Sequence, residues 1–419
     1  MAAGTGVRAG AGRAPSTEPA ERGAMLGYWN SAVTSYYLLT GSTALLIALG
    51  LVMVLSSSTV DSLVAGHSPY AIALNQALFA LVGLPLLWIT SRTPPSVLKR
   101  VAWPLLAAAV FAQILVFSPL GVTRNGNRNW IVLAGQSFQP AEAAKIALAL
   151  WLAAVLARKR PLLSSWRHVA LPMAPVAVLV VGLVLLGHDL GTALILLLII
   201  AGALFVAGAP IRMLVVMGGG AGLVVWWLID TSKNHSGRIT SWLSSNCDIA
   251  SACYQTQHGI WGLASGGWWG LGLGASREKW SYLPEAHNDF IFAIIGEELG
   301  LLGTLLVLAL FGVMALVITR IVHRHKDPFV KIATGAIGCW LLGQALINIG
   351  VVIGIFPVVG VPLPLVSAGG SALITTMVAL GILISFARTE PGAAEALAAR
   401  PGLVRRSLAV VSRGRSRRG

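Results

Sequence analysis

The chain has 419 residues, of which 56% are hydrophobic and only 11% charged, with a formal net charge of +15. A soluble domain carries roughly 25% charged residues, so this composition excludes one and indicates a chain that crosses a bilayer several times. Nucleic acid is a poor match for the positive excess, because the bases sit in short loops and tails between apolar runs, without interleaved aromatic residues.

In chain order, Met1–Gly27 is rich in Gly, Ala and Arg and has no apolar face, so residues 1–30 read as a disordered basic tail. The tail lacks the short apolar core and small-residue cleavage site of a signal peptide. Ten apolar runs follow, near Tyr37–Ser56, Ala71–Thr90, Val101–Leu120, Ala141–Ala157, Val169–Gly187, Leu190–Ala209, Met213–Ile229, Phe290–Arg320, Ile332–Phe356 and Ala372–Phe386. Each approaches or exceeds the roughly 20 residues that a spanning helix needs, the last being the shortest. Helices are the expected spanning form, because a bilayer forces every backbone polar group to be satisfied internally. The expected fold is therefore an all-α polytopic membrane domain over residues 31–388 with ten transmembrane helices.

Orientation follows from Lys and Arg. With the N-terminus cytoplasmic, 23 of the 30 bases fall on the inner side. Both termini are then cytoplasmic, and the longest loop, residues 230–289 between the seventh and eighth helices, is extracytoplasmic. Residues 389–419 form a second basic tail, suited to anionic lipid.

Ionisable residues are scarce, and they gather on the expected outer face. The first cluster is Gly121–Lys145, GVTRNGNRNWIVLAGQSFQPAEAAK. Its Arg124 and Arg128 lie on the side that should be poor in bases, where guanidinium groups can hold phosphate bidentately. Asn125-Gly126 signals a turn, Trp130 suits a site or an interface belt, and Pro140 after Gln139 can open the fourth helix. Glu142 and Lys145 fall at i,i+3 on one helix face and read as a site pair or as a structural ion pair. In the second cluster, Gly187–Gly191, Asp189 can contact a ligand or cap the sixth helix.

The third cluster holds Arg238, Tyr254 and Gln255, the glycine-rich Ser265–Gly270, then Lys279, Glu285, His287 and Asp289. Glycines there permit close approach of backbone to a ligand or to another segment. Of the fifteen Asp and Glu in the chain, Glu285, Asp289, Glu297 and Glu298 lie within Leu283–Gly300. Carboxylates at the mouth of a membrane helix are costly to keep, which makes a functional site the default reading. If the chain is already helical there, Glu285 and Asp289 share a face at i,i+4. A carboxylate at a dry boundary beside another suits general-base work on an alcohol. The structural alternative for Asp289 is a helix cap. Glu297 and Glu298 lie deeper and read as partners of a base such as Lys145 or of backbone groups. The fourth cluster, Asn348–Ser371, carries three prolines and ends in Gly369-Gly370-Ser371, so a straight helix should break at Pro357. The segment beyond it reads as an outer re-entrant loop walling a site, or as a connector above the membrane.

Three cysteines remain. Cys339 falls in the ninth run as an apolar core residue, while Cys247 and Cys253 lie close together in the outer loop as a disulfide or as two free thiols. His258 is their only close histidine, and the spacing fits no zinc pattern, so no metal site is expected. Neither a P-loop nor an HExxH motif occurs, which leaves nucleotide-driven transport unsupported.

Taken together, NGNRNWI, QPAEAAK, DLGTA, ASGGWWGLGLG, LPEAHNDFIFAIIGEELG and GVPLPLVSAGGS resemble the SEDS family, the polytopic glycosyltransferases of shape, elongation, division and sporulation. The resemblance covers about Ala71–Ser385. PEAH, IIGEELG and QPAE resemble the division branch more than the elongation branch, and ASREKW and HND look like actinobacterial forms. His188, Asn288 and Ala368 depart from the family's usual Pro, Thr and aromatic residue. The resemblance implies a peptidoglycan glycosyltransferase that polymerises lipid II, an undecaprenyl-pyrophosphate disaccharide-pentapeptide, beside a class B penicillin-binding protein and other division proteins. It maps the family's catalytic aspartate to Asp289. Arg128, Lys145 and Arg124 are then expected at the pyrophosphate, with Trp130, Gln139, Glu142, Asp189, Lys279, Glu285, His287, Ser367, Gly369, Gly370 and Ser371 as further substrate contacts. No cofactor is required in this reading, although a divalent cation can help neutralise pyrophosphate. A lipid II flippase, a scaffold for the penicillin-binding protein and the elongation member of the family are the alternatives. A flippase needs polar residues through the full membrane thickness, whereas the inner halves of the runs are mostly Leu, Val, Ala and Ile.

Overall fold

The computed structural model describes residues 33–124, 126–133, 135–163, 166–231, 242 and 253–398. Its elements are α1 (Thr34–Val64), α2 (Ala71–Arg92), α3 (Pro95–Leu115), β1 (Gly121–Arg124), β2 (Asn127–Leu133), β3 (Gln136–Phe138), α4 (Pro140–Lys159), α5 (Trp166–Leu186), α6 (Leu190–Ala207), α7 (Ile211–Thr231), α8 (Tyr254–Ser265), α9 (Ile291–Arg324), α10 (Pro328–Val352), α11 (Gly370–Arg388) and α12 (Ala393–Ala398). Among the described residues eight of these helices are long and apolar enough to cross a membrane, and the apolar parts of α5 and α7, Leu171–Leu186 and Ile211–Gly220, are shorter. All ten fall on the ten apolar runs. Helix α4 lies in the middle of the bundle, with nearly every residue from Pro140 to Leu156 buried. By contrast α2 and α3 are peripheral and turn Leu74, Leu78, Leu81, Trp103 and Phe111 outward, as a lipid-facing surface would.

One feature departs from all-α. Between α3 and α4 the chain forms a three-stranded antiparallel sheet in the order β1-β2-β3, pairing Val122 with Trp130 and Ile131 with Phe138. Strand β2 buries Asn129 and Ile131 while Arg128 and Val132 face out, the period-two pattern of a half-buried strand. Gly126 and Gly135 supply the left-handed turns at φ 83° and 79°. The starts of α2, α4, α6, α9 and α11 share this end of the bundle, here termed the sheet end.

Helix α9 is interrupted at Gly300, where φ 67° and ψ −164° are not helical. The Gly266–Gly272 segment runs through the break. Leu271 N and Gly272 N donate to Glu297 O and Glu298 O at 2.9 and 3.0 Å, and Leu301 N donates to Gly267 O at 2.9 Å. A Cβ on Gly300 would stand 2.4 Å from Gly270 N, and one on Gly266 would stand 1.9 Å from Gly296 O. Two backbones thus touch where side chains cannot fit, which accounts for the glycine-rich segment.

The chain between α10 and α11 re-enters the bundle. Leu365 O and Val366 Cα would lie 2.3 and 2.8 Å from a Cβ on Gly50, which sits midway along α1. Leu363, Leu365 and Val366 are buried. The helix ends at Val352, with Gly354 at φ 80°, before the expected break at Pro357. A glycine in the left-handed region stops the helix earlier than the proline could. The segment expected as a tail also starts with structure: α12 covers Ala393–Ala398, and Glu390 is buried with a carboxylate oxygen 3.6 Å from Arg324 Nε. Cys339 of α10 is half-buried and packs against Gly202 of α6.

Candidate active site

The segment before α9 is a series of turns, with Glu285 at φ 57°. It is not helical, so Glu285 and Asp289 do not share a helix face. The left-handed residue breaks the periodicity that i,i+4 requires. Nor does Asp289 cap α9, whose N-cap position is Phe290 with no side-chain cap. Asp289 is half-buried.

Three consecutive carbonyls hold this segment in place. Ala368 N donates to His287 O at 2.9 Å, Ser367 Oγ to Asn288 O at 2.7 Å, and Asn348 Nδ2 to Asp289 O at 2.8 Å. Asn348 also donates to Val361 O at 2.8 Å, so one side chain clamps the Asp289 backbone to the re-entrant loop. A Cβ on Gly360 would be 3.5 Å from Asp289 Oδ2, placing the carboxylate against that loop. The loop is itself fixed from two sides. Gln76 of α2 donates to Ser367 O at 3.2 Å and accepts from Gly369 N at 3.1 Å, and Gln344 of α10 donates to Pro362 O at 2.8 Å.

Beside this frame lies a groove of about 690 Å³ lined by Asn75, Gln76 and Phe79 of α2, Arg124 and Trp130 of the sheet, and Gly369 before α11. Arg124 donates to Ser137 Oγ at 2.6 Å and stacks over Trp130 at 5.4 Å, with its guanidinium exposed. Gly370 packs against the Phe79 ring, and Ser371 is buried at the start of α11.

Other expected contacts have structural partners. Arg128 donates through Nε to Val116 O at 3.1 Å and through Nη2 to Ser118 O at 3.1 Å. It thus caps the C-terminal end of α3, where carbonyls lack helical partners. Lys145 and Glu142 form a buried ion pair at 2.7 Å, extended by Gln344 at 3.3 Å and by Thr375, which donates to Glu142 at 3.0 Å. Both bases expected at the pyrophosphate therefore have protein partners. Asp189 caps α6 by accepting from Thr192 N at 2.9 Å, and it also accepts from Asn129 at 2.7 Å and Gln139 at 2.9 Å. This explains Gln139 and Asp189 together as a tie between sheet and helix. Lys279, expected at the substrate, is buried 3.1 Å from Glu298 and 2.7 Å from Gly274 O. Ser56 of α1 donates to the same Glu298 at 2.6 Å. Glu297 accepts from Arg277 N at 2.8 Å and from Ser276 Oγ. Neither glutamate pairs with Lys145. Both instead fasten the loop to α9 just before its break.

One group was missed. Asp61, the only charged residue of α1, has Oδ2 2.8 Å from His287 Nδ1. A single carboxylate in a 31-residue apolar helix was a signal available from sequence. Cys253 is disulfide-bonded, while Arg238 and Cys247 lie outside the described residues.

Residues 36–391 match the family model described as "Cell cycle protein", that of FtsW, RodA and SpoVE. The chain belongs to the FtsW/RodA/SpoVE family. It is 41% identical over 396 residues to a Mycobacterium tuberculosis protein named "Probable peptidoglycan glycosyltransferase FtsW", covering 94% of this chain and 76% of that one. A Halorhodospira halophila protein of the same name is 36% identical over 370 residues, covering 87% and 93%. Among solved structures, a chain of a complex titled "Structural coordination of polymerization and crosslinking by a peptidoglycan synthase complex" superposes with TM-score 0.68 at 29% identity, covering 84% of this chain and 96% of that one. Thermus thermophilus RodA superposes with TM-score 0.63 at 28% identity, covering 84% and 97%. As an FtsW/RodA/SpoVE member the chain is a multi-pass membrane protein of FtsW-like sequence, and its likeness to mycobacterial relatives agrees with an actinobacterial form.

Proposed function

We infer that the protein is a peptidoglycan glycosyltransferase that polymerises lipid II during division, and that Asp289 is its general base. The observation that carries the base assignment is the clamp on the three carbonyls of residues 287–289, since a base must be held still to act. In the reaction, Asp289 takes the proton from the acceptor sugar's 4-hydroxyl. That oxygen bonds to the donor's anomeric carbon as the bond to pyrophosphate breaks, and undecaprenyl pyrophosphate leaves with the electron pair. A single displacement inverts the anomeric centre. Arg124, the exposed guanidinium of the groove, is the base best disposed to meet the growing phosphate charge. The exposed leucines of α2 beside it suit an isoprenoid tail. A divalent cation chelated by the pyrophosphate would arrive with the substrate.

The sheet end faces the cell exterior in this reading, which puts the basic ends of α4, α9 and α11 in the cytoplasm. The naming of a peptidoglycan synthase complex among its structural relatives supports a class B penicillin-binding protein as partner, and the FtsW likeness supports work at the septum. The test is reconstitution in proteoliposomes with the cognate penicillin-binding protein and lipid II. Glycan strands should form. Lipid II crossing the bilayer with no strand formed would identify a flippase instead.

A further inference from the structure

Asp61 occupies the last turn of α1, at the negative end of the helix dipole, where a carboxylate is disfavoured. Helix α1 is also longer than a bilayer needs. Its 31 residues, at 1.5 Å each, reach about 46 Å against a hydrocarbon core of about 30 Å. The extension carries Asp61 to the segment that holds Asp289. There Asp61 Oδ2 meets His287 Nδ1 at 2.8 Å, two residues from Asp289. The Asp61 carboxylate keeps 38% of its surface exposed and the His287 ring 21%. Among the described residues nothing hydrogen-bonds His287 Nε2, so that nitrogen is left for a ligand. The backbone of His287 is fixed as well, since its carbonyl accepts from Ala368 N, and Ala368 lines the groove.

We propose that Asp61 is a positioning residue: it holds His287 in the Nδ1–H tautomer, so that Nε2 accepts a hydrogen bond from a hydroxyl of the sugar bound beside Asp289. A carboxylate on Nδ1 selects that tautomer because only a protonated nitrogen can donate to it. The other ionisable groups of this segment, Glu285 and Asp289, are both carboxylates, so the acceptor nitrogen belongs to His287. The inference rests on the glycosyltransferase reading for the identity of the sugar, while the pairing itself does not.

Two measurements test it. In protein labelled with ¹⁵N-histidine, the His287 signals, assigned among the eight histidines by subtraction of the His287→Gln spectrum, should show an unprotonated Nε2. In Asp61→Asn they should move to a mixture of tautomers. An unchanged spectrum would overturn the proposal whether or not the protein polymerises. In the lipid II assay with the partner present, Asp61→Asn should lower kcat/KM roughly tenfold, as expected for one lost charge-assisted hydrogen bond, mainly through KM and with an unchanged melting temperature. Asp61→Glu should restore part of the loss, and Asp61→Asn with His287→Gln should be no slower than His287→Gln alone. Multiplying effects would make Asp61 independent of His287 and contradict the proposal. A wild-type protein that makes no glycan would remove the glycosyltransferase reading and leave the spectrum to decide the pairing.

Discussion

The carboxylates of Leu283–Gly300 divide according to what surrounds each one. Glu298 is buried against Lys279, and Glu297 is bound by backbone amides of the neighbouring loop. Asp289 stands half-buried at the re-entrant loop. A buried charge left alone is the costly case, so Lys279→Met should destabilise the protein by about 3–5 kcal/mol. Lys279→Met combined with Glu298→Leu should recover most of that loss, both being read as melting temperatures in detergent. The sequence made the crowding of acidic residues plain, because charge is rare in this chain. It did not identify partners. Lys279 lies 19 residues from Glu298, and Ser56 lies 242 residues away, and no local pattern encodes such distances. Arg128 and Asp189 illustrate the same limit. Each has the chemistry of a phosphate or sugar contact, and each also bonds at a helix end that lies far from it in sequence or across a turn.

Elements show a different division of what could be read. Ten apolar runs correspond to ten helices because length and hydropathy are properties of a single segment. The small sheet was not expected, because Asn127–Leu133 runs three polar residues and then four apolar ones with no polar–apolar alternation, and Gly126 and Gly135 signal only turns. Short strands beside long apolar runs give a weak signal. The break in α9 also needed the structure, since only the crossing of Gly266–Gly272 explains why Gly300 is left-handed. Gly300→Ala adopts a conformation that is essentially glycine's alone, at a cost on the order of 1–3 kcal/mol before the clash with Gly270 is counted. It should lower the melting temperature and expose the loop to limited proteolysis. Asn348 clamps the Asp289 carbonyl to Val361. Asn348→Ala should reduce kcat by about 10²-fold with little change in KM, since a displaced base loses reactivity before it loses ligand. An equal rise in KM would argue that Asn348 serves binding instead.

On the scale of the whole molecule, two ends of one bundle carry different work. The sheet end holds the clamp, the groove and the Asp61–His287 pair. The opposite end holds buried Glu390, which ties the chain after α11 to Arg324 of α9. Burial pushes the Glu390 carboxyl above its ordinary value of 4.5, against the pull of Arg320 and Arg324. A raised carboxyl favours the fold fully below its ordinary pKa, and that contribution fades as pH rises through the folded value. Glu390→Gln should therefore raise the melting temperature at pH 7, and the gain should vanish as pH falls towards 4.5. The membrane class and the six motif segments were legible because they are local in sequence. Their convergence was not, because it depends on a loop that returns to the middle of α1. The most direct test is lipid II polymerisation by Asp289→Asn, reconstituted with the proposed penicillin-binding protein partner at wild-type melting temperature. With Asp289 as the base, kcat should fall by at least about 10²-fold, the low end of what a general base supplies. Glycan strands made at the wild-type rate would contradict that assignment.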